Sequence, residues 1–130
     1  MSSINSPRPF RYDSLNDYQC AATDTAVYPG QRTIAGLMYV ALKLNGEAGE
    51  FAEHLGKALR DDALPITGTT VDLVPERKVK LVLELGDVLW YVAAAAKELG
   101  FTLGDVAQEN MTKLLSRKDR GTLQGSGDHR

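Results

Sequence analysis

Residues 37–55, LMYVALKLNGEAGEFAEHL, follow the period of an amphipathic α-helix. A polar stripe of Lys43, Glu47, Glu50 and His54 runs beside the apolar one. The pattern continues in both directions and predicts a long helix over residues 32–60, with one buried face next to an acidic stripe. The side chains predicted to face inward are Leu37, Val40, Ala41, Leu44, Ala48, Phe51, Ala52 and Leu55.

Residues 75–98 combine the same two features in a second predicted long helix. Pro75 suits the first position of a helix, and Gly100 suits the position just after a helix end. Glu84, Asp87 and Tyr91 form a polar stripe next to the apolar one. The side chains predicted to face inward are Leu81, Leu85, Val88, Leu89, Val92, Ala95, Ala96 and Leu99.

Two shorter helices complete the predicted fold. One starts at the N-cap candidate Ser14 and ends before Tyr28-Pro29-Gly30, and the other runs from residue 102 or 103 to residue 117. No stretch alternates with period two, so we predict an all-α, four-helix-bundle-like fold, completed by oligomerisation because of its large apolar faces. Residues 1–130 are predicted to form one domain, with an N-terminal arm (1–12), a loop (61–74) and a Gly-rich basic tail (119–130).

Two acidic pairs, Glu47-x-x-Glu50 and Glu84-x-x-Asp87, carry the main functional signal. Each pair is spaced i, i+3, so its two carboxylates share one stripe of a helix. Carboxylates crowded between packed helices are costly unless a positive charge compensates them, and oxygen ligands favour Mg²⁺ or Mn²⁺ over zinc. From these residues alone, a metal site and a set of solvated acids are both open.

The composition narrows the function classes. The 130 residues are 43% hydrophobic and 25% charged, with a net charge of −2, which is typical of a globular protein and speaks against a dominant nucleic-acid surface. Cys20 is the only cysteine and there are two histidines, which argues against disulfides, zinc clusters and a di-iron bundle. Because no signal peptide or membrane-spanning run is visible, we expect a cytoplasmic protein without nucleic-acid or membrane partners.

Candidate substrate contacts follow the acidic pairs along the chain. Asn110-x-x-Lys113 places an amide and an ammonium on one helix face, and Arg117 lies in the basic last turn. These cations either interact with the helix C-terminus or neutralise phosphate. Of the neighbouring aromatic residues Trp90 and Tyr91, one is expected in the core. Tyr91 is the candidate for stacking on a base, because it lies nearer to the acidic stripe.

Taken in order, three motifs resemble the MazG-like, all-α nucleoside triphosphate pyrophosphohydrolase superfamily: Glu47-x-x-Glu50, Glu84-x-x-Asp87-Val-Leu-Trp-Tyr and Asn110-x-x-Lys113. The resemblance implies Mg²⁺-dependent cleavage between the α and β phosphates, which yields a nucleoside monophosphate and pyrophosphate. It also implies a homodimer or homotetramer. Many members carry a further glutamate where this chain has Gly46, so the group that activates the water stays open.

The resemblance also implies roles for individual residues. Glu47, Glu50, Glu84 and Asp87 match the positions of metal ligands for Mg²⁺, with Mn²⁺ as a substitute. Glu47 or Glu50 would accept the proton of the attacking water. Asn110 and Lys113 match positions that face the substrate. Further candidates for contacts with the nucleoside triphosphate, proposed from the residues themselves, are Arg117, Tyr91, Arg120 and Arg130.

Three interpretations of the function are therefore open. The first is hydrolysis of nucleoside triphosphates, with deoxynucleotides preferred. The second is the same hydrolysis of a modified or phosphoribosyl nucleotide, and the third is a non-catalytic helical interaction module that keeps its metal-binding acids for stability. The retention of all four acids argues against the third, because buried acids without partners cost stability.

Overall fold

The computed structural model describes residues 14–64 and 66–125, and within these it contains helices and no strands. Four helices follow one another along the chain: α1 (Leu15–Thr23), α2 (Ile34–Asp61), α3 (Pro75–Glu98) and α4 (Leu103–Asp119). The predicted all-α fold is confirmed. None of the helices in the described part is long and apolar enough to cross a bilayer.

Helix α3 is the centre of the arrangement. It packs along α2, and it also contacts α1 and α4, which pack on each other. The described core is thin and built largely from small side chains, because alanines allow the helices to approach closely. The buried apolar residues are Ala22, Val40, Ala58, Leu73, Ala93, Ala94, Ala96 and Leu103.

The helix ends follow local signals. The Ser14 side chain accepts a hydrogen bond from the Asp17 N–H at 3.0 Å, as expected of an N-cap. Pro75 is the first residue of α3, and Gly100 has a left-handed φ of +81° just beyond its end. At the start of α4, the side chains of Thr102 and Asp105 form a reciprocal capping box.

Two helix boundaries differ from the prediction. Helix α2 begins at Ile34 rather than at residue 32, because Arg32 has a left-handed φ of 65° that no α-helix contains. Helix α4 continues to Asp119, two residues past the predicted end, so Asp119 does not belong to the tail. Likewise, Asp61 is the last residue of α2 and the loop begins one residue later.

The buried amide of Gln19 joins α1 to the junction of α3 and α4. Its Nε2 donates to the carbonyl oxygens of Ala93 and Phe101, both at 3.1 Å. Its Oε1 accepts from the Leu103 N–H at 2.9 Å. Each of these three bonds satisfies a backbone group in or beside the core, so a single side chain holds three helices in register.

The predicted inward stripes are only partly buried. Leu85, Leu89 and Leu99 were expected in the core, but they are exposed at 50%, 39% and 59% of their surface. The prediction is wrong for the single chain because α2 and α3 cover each other on one side only. The same correction applies to the exposed α2 residues Ala41, Ala48 and Ala52.

Some of the predictions lie outside the described residues. These are the N-terminal arm (1–12), the end of the tail (126–130) and Arg130 within it. The loop between α2 and α3 is described except for residue 65.

Gly36 offers a test of the junction between the α1–α2 connection and α2. A Cβ at this position would lie 2.3 Å from the Gly30 carbonyl oxygen, whereas a Cβ at Gly56 would meet nothing within 4 Å. We expect Gly36→Ala to lower the free energy of unfolding by about 2 kcal/mol through overpacking. Gly56→Ala should raise it by up to about 1 kcal/mol through helix propensity. Urea unfolding followed by circular dichroism measures both, and equal changes would contradict the close approach.

Candidate metal centre

The packing of α2 against α3 brings three carboxylates together. Glu47 and Glu50 come from α2 and Glu84 from α3, and each offers an oxygen within 4.8 Å of the other two. The i, i+3 spacing directs both α2 acids toward the same side of the helix, as the sequence pattern predicts. Glu47 and Glu84 are half-buried and Glu50 is exposed. The result is a crowded acidic cluster that opens to solvent at one end.

This cluster fits a hard divalent cation. Given ligand distances of about 2.1 Å, two oxygens bound to one Mg²⁺ are about 3.0 Å apart at adjacent positions and about 4.2 Å apart at opposite positions. The carboxylate oxygens lie within 4.8 Å of one another, so side-chain adjustments would bring them to these separations. All three donors are carboxylate oxygens, which is the ligand type that Mg²⁺ and Mn²⁺ prefer.

Glu84 is held by a residue that the sequence analysis treated only as part of the polar stripe. The His54 Nε2 lies 3.1 Å from the Glu84 Oε1, and the two side chains retain 21% and 13% of their exposure. The other oxygen of Glu84, Oε2, is buried and has no hydrogen-bond partner among residues 14–64 and 66–125. A buried carboxylate oxygen without a partner is costly, and a bound cation would satisfy it.

Lys43 forms an ion pair with Glu47 within α2. Its Nζ lies 3.6 Å from the Glu47 Oε1 and 6.0 Å from the centre of the Tyr91 ring. Tyr91 and Glu47 together raise the pKa of the Lys43 ammonium, so Lys43 stays charged at neutral pH. This ion pair lies where the acidic cluster meets an aromatic cavity.

Asp87 lies in that aromatic cavity rather than among the three clustered acids. The aromatic cavity, named for the tyrosine and tryptophan rings among its lining residues, lies between the α1–α2 connection, α2 and α3. Its volume is about 470 Å³. Glu47 lines it too, so the acidic cluster and the cavity are continuous. Its lining residues are Thr25, Val27, Tyr28, Pro29, Tyr39, Glu47, Asp87, Trp90 and Tyr91.

The rings of the aromatic cavity contact one another. Tyr28 and Tyr39 stack with their ring centres 5.7 Å apart, and Tyr28 meets Trp90 edge-on at 6.2 Å. Trp90 in turn meets Tyr91 edge-on at 4.9 Å. Burial raises the pKa of the Tyr91 phenol, so it remains neutral. Both Trp90 and Tyr91 line the cavity, whereas the sequence analysis assigned only one of them to it.

Tyr28 and Tyr39 are aromatic residues of the cavity that the sequence patterns do not indicate. Tyr28 belongs to Tyr28-Pro29-Gly30, a pattern that predicts only a helix break. Tyr39 falls in the apolar first part of α2, beside Val40 of the core. A tyrosine in the connection, six residues before the first residue of α2, carries no local signal for a cavity, so only the packing of the connection onto α3 identifies it.

The predicted phosphate contacts lie elsewhere in the chain. Asn110 and Lys113 line a different cavity of about 470 Å³, together with Phe101 and Val106. Arg117 is buried, with 4% of its surface exposed. Arg120 is exposed, and its Nε donates to the Ser116 Oγ at 3.3 Å. A single chain therefore does not bring these side chains into the cavity that holds Glu47 and Asp87.

The contact between His54 and Glu84 can be tested without any ligand. We expect His54→Ala in metal-free buffer to lower the free energy of unfolding by about 1–2 kcal/mol, because it removes the 3.1 Å polar contact of a half-buried carboxylate. Lys57→Ala is the matched control, since it removes the exposed Lys57–Glu53 pair from the same helix. That control should cost less, because an exposed pair is screened by solvent. Equal losses in urea unfolding would contradict a stabilising role for the His54 contact.

Comparisons with known proteins identify the family of the chain. Residues 38–122 match the MazG nucleotide pyrophosphohydrolase domain. Over 116 residues the chain is 51% identical to the Gene 37 protein of Mycobacterium phage L5. This alignment covers 87% of this chain and 96% of the phage protein. No solved structure matches the chain. Since the matched region contains α3, α4 and nearly all of α2, with every acid of the cluster, the chain belongs to the MazG nucleotide pyrophosphohydrolase family.

Proposed function

We propose that this protein hydrolyses nucleoside triphosphates between the α and β phosphates, releasing a nucleoside monophosphate and pyrophosphate. Membership of the MazG family supports a nucleotide pyrophosphohydrolase. The observation that carries the proposal is the continuity of the acidic cluster with the aromatic cavity through Glu47. Deoxynucleoside triphosphates are the preferred substrates in this proposal. A cytoplasmic location is also proposed, since the exposed free cysteine, Cys20, is compatible with a reducing compartment.

Four acids are proposed to hold Mg²⁺, for which Mn²⁺ can substitute. Glu47, Glu50 and Glu84 are the clustered donors, and Asp87 lines the adjoining cavity one helical turn after Glu84. Bound Mg²⁺ would neutralise phosphate charge and act as a Lewis acid on water and the phosphoryl group. The buried Oε2 of Glu84 supports this assignment, because it is the carboxylate oxygen that most needs a positive partner.

Glu50 is the proposed general base. Glu47 is already paired with the Lys43 ammonium, which lies 3.6 Å from its Oε1. Glu84 is engaged by His54. Glu50 is exposed at the open end of the cluster, where water and the substrate arrive, so it can accept a proton as the water attacks the α phosphorus.

Assembly of more than one chain is proposed to complete the site. Val82, Leu85 and Leu89 form an apolar stripe on α3, and all three are exposed by 39% or more. A homodimer or homotetramer would cover this stripe with a second copy of the chain. It would also allow α4 of one chain, with Asn110, Lys113, Arg117 and Arg120, to reach phosphates that bind through Mg²⁺ at the acids of another. Arg130 belongs to the same proposal and lies outside the described residues.

The activity can be tested by following a panel of nucleoside triphosphates with ³¹P NMR in the presence of Mg²⁺. We expect pyrophosphate and a monophosphate as products, and no turnover with EDTA. Glu50→Ala and Asp87→Ala should each lower kcat by at least about a hundredfold, because removing a general base or a metal ligand is costly. Glu53→Ala is the control on α2, since Glu53 pairs with Lys57 at the surface.

The outcomes separate the three interpretations. Release of orthophosphate instead of pyrophosphate would contradict the proposed bond cleavage, and unchanged turnover in both acid variants would contradict the site. Turnover of only a modified or phosphoribosyl nucleotide would support the second interpretation. Absence of turnover on every nucleotide, with the protein folded, would favour a non-catalytic module.

The assembly can be tested by sedimentation equilibrium. We expect a mass of two or four chains for the native protein and a smaller mass for Leu85→Glu, because the new charge would be buried in the interface. Ile66→Glu is the matched control, since Ile66 is 84% exposed in the loop between α2 and α3. A native protein that sediments as a single chain would contradict the proposal.

A further inference from the structure

We propose that a further cavity, at the C-terminal end of α3, binds the phosphoryl group of a small molecule through Arg32 and Lys97. This basic cavity lies between the end of α1, the α1–α2 connection and the end of α3, and its volume is about 350 Å³. None of the proposed metal ligands lines it, so the site does not depend on the proposed hydrolysis. Its lining residues are Thr23, Ala26, Tyr28, Gln31, Arg32, Lys97, Glu98 and Gly100.

Two of the three charged groups that line the basic cavity are cations. These are the Arg32 guanidinium and the Lys97 ammonium, and the third group is the Glu98 carboxylate. Within residues 14–64 and 66–125 neither cation forms an ion pair, whereas Arg60 and Arg77 do. The cavity therefore carries a net positive charge, and an anion is the ligand that such a charge attracts.

Both cations retain hydrogen-bond donors for a ligand. The Lys97 Nζ donates to the Thr23 Oγ1 at 3.3 Å, which uses one of its three hydrogens. In the described part of the chain the hydrogen bond of Arg32 comes from its backbone N–H, so the guanidinium keeps its five donors. Gln31 adds no donor, because its Nε2 already donates to two backbone carbonyl oxygens at 3.3 and 3.2 Å. A guanidinium and an ammonium in one cavity suit phosphoryl oxygens.

The backbone of Arg32 is held in an uncommon conformation. Its φ of 65° lies in the left-handed region, which is sterically unfavourable for a residue with a Cβ. Its N–H donates to the Glu98 Oε2 at 2.9 Å, and the following Thr33 N–H donates to the Gly30 carbonyl oxygen at 3.0 Å. Residues held in this region cluster at binding sites, and here the conformation places Arg32 on the wall of the basic cavity.

Glu98 opposes the binding of an anion. Its half-buried carboxylate accepts from the Tyr28 hydroxyl at Oε1 and from the Arg32 N–H at Oε2. Burial and the hydrogen bond to Glu98 raise the pKa of the Tyr28 phenol to about 12, so the hydroxyl remains a donor at neutral pH. These two donors offset part of the negative charge, but a second anion nearby is still repelled. Glu98 thus gives the test a variant whose effect has the opposite sign.

The basic cavity is separate from the acidic cluster. Glu84 and Lys97 are 13 residues apart on α3, which is a rise of about 20 Å at about 1.5 Å per residue. Phosphates that bind through Mg²⁺ at the acids would lie about that far from Lys97, so they are not the group proposed for this cavity. Tyr28 lines both the basic and the aromatic cavity and connects the two.

The size and the remaining lining of the basic cavity favour an organic ligand. A volume of about 350 Å³ lies in the range of small-molecule sites, and Ala26 and the Tyr28 ring add apolar wall beside the charged groups. A phosphoryl group is presented either by inorganic phosphate or by a phosphate monoester. In this proposal the ligand is the monoester, because its organic part would contact the apolar wall.

Nuclear magnetic resonance titration of ¹⁵N-labelled native protein tests the site residue by residue. EDTA is present, because it removes divalent cations that would bring phosphates to the acids. The probes are glycerol 3-phosphate, inorganic phosphate and uncharged glycerol, at an ionic strength held constant with sodium chloride. We expect saturable shifts of the Arg32, Glu98 and Gly100 N–H signals with glycerol 3-phosphate, weaker binding of inorganic phosphate and no shifts with glycerol.

Variants that change one charge each give effects of opposite sign. Arg32→Gln and Lys97→Gln each remove a cation and should weaken the binding of glycerol 3-phosphate about tenfold, as expected for the loss of a charge-assisted hydrogen bond. Glu98→Gln removes the repelling charge and should strengthen binding. Lys57→Gln is the matched control, since it removes an exposed cation from α2 outside the cavity and should leave the affinity unchanged.

The outcomes decide the proposal in either direction. Absence of saturable shifts, an equal response to glycerol, or shifts confined to the basic last turn of α4 would overturn the site. Equal losses of affinity in Lys57→Gln and Arg32→Gln would also overturn it, because they would indicate unspecific charge attraction. Tighter binding of inorganic phosphate than of glycerol 3-phosphate would support the phosphoryl site and contradict the monoester as its ligand. Circular dichroism establishes that each variant is folded, and if Glu98→Gln is not, the variants of the two exposed cations still decide the matter.

Discussion

Electrostatic repulsion among the three carboxylates between α2 and α3 is the constraint on which the site depends. Glu47, Glu50 and Glu84 lie within 4.8 Å of one another, and two of them are half-buried. The Lys43 ammonium compensates part of this charge at Glu47, and the His54 Nε2 contacts Glu84 at 3.1 Å. The buried Oε2 of Glu84 is left without a hydrogen-bond partner in the described part of the chain, which is the arrangement expected where a cation binds.

The scaffold that holds these acids is narrow. Its described core consists mostly of alanines and one fully buried valine, Val40, and much of the leucine surface of α3 is exposed. Stability therefore depends on close helix contact and on polar links such as the three hydrogen bonds of Gln19. The proposed assembly would cover this open apolar face with another copy of the chain. It would also bring Lys113 of one chain toward the acids of another.

The aromatic cavity gives the acidic cluster its chemical context. Acids alone would bind any divalent cation, but Glu47 and Asp87 share their cavity with four aromatic rings. Phosphate chemistry at one end and ring stacking at the other suit a nucleotide, which is the substrate class of the family. Tyr28 is central to this arrangement, because Glu98 anchors it from the opposite end of α3.

The sequence by itself determined the helices, most of their ends and the acidic stripes. Caps such as Ser14 and the i, i+3 spacing of Glu47 and Glu50 act within one helical turn, so the chain carries that information locally. Only the tertiary structure decided the contact of His54 with Glu84, the position of Tyr28 beside Trp90 and the placement of Lys113 in a separate cavity. These contacts join residues 30 or more positions apart or depend on which helices touch, and a helical period does not encode helix packing.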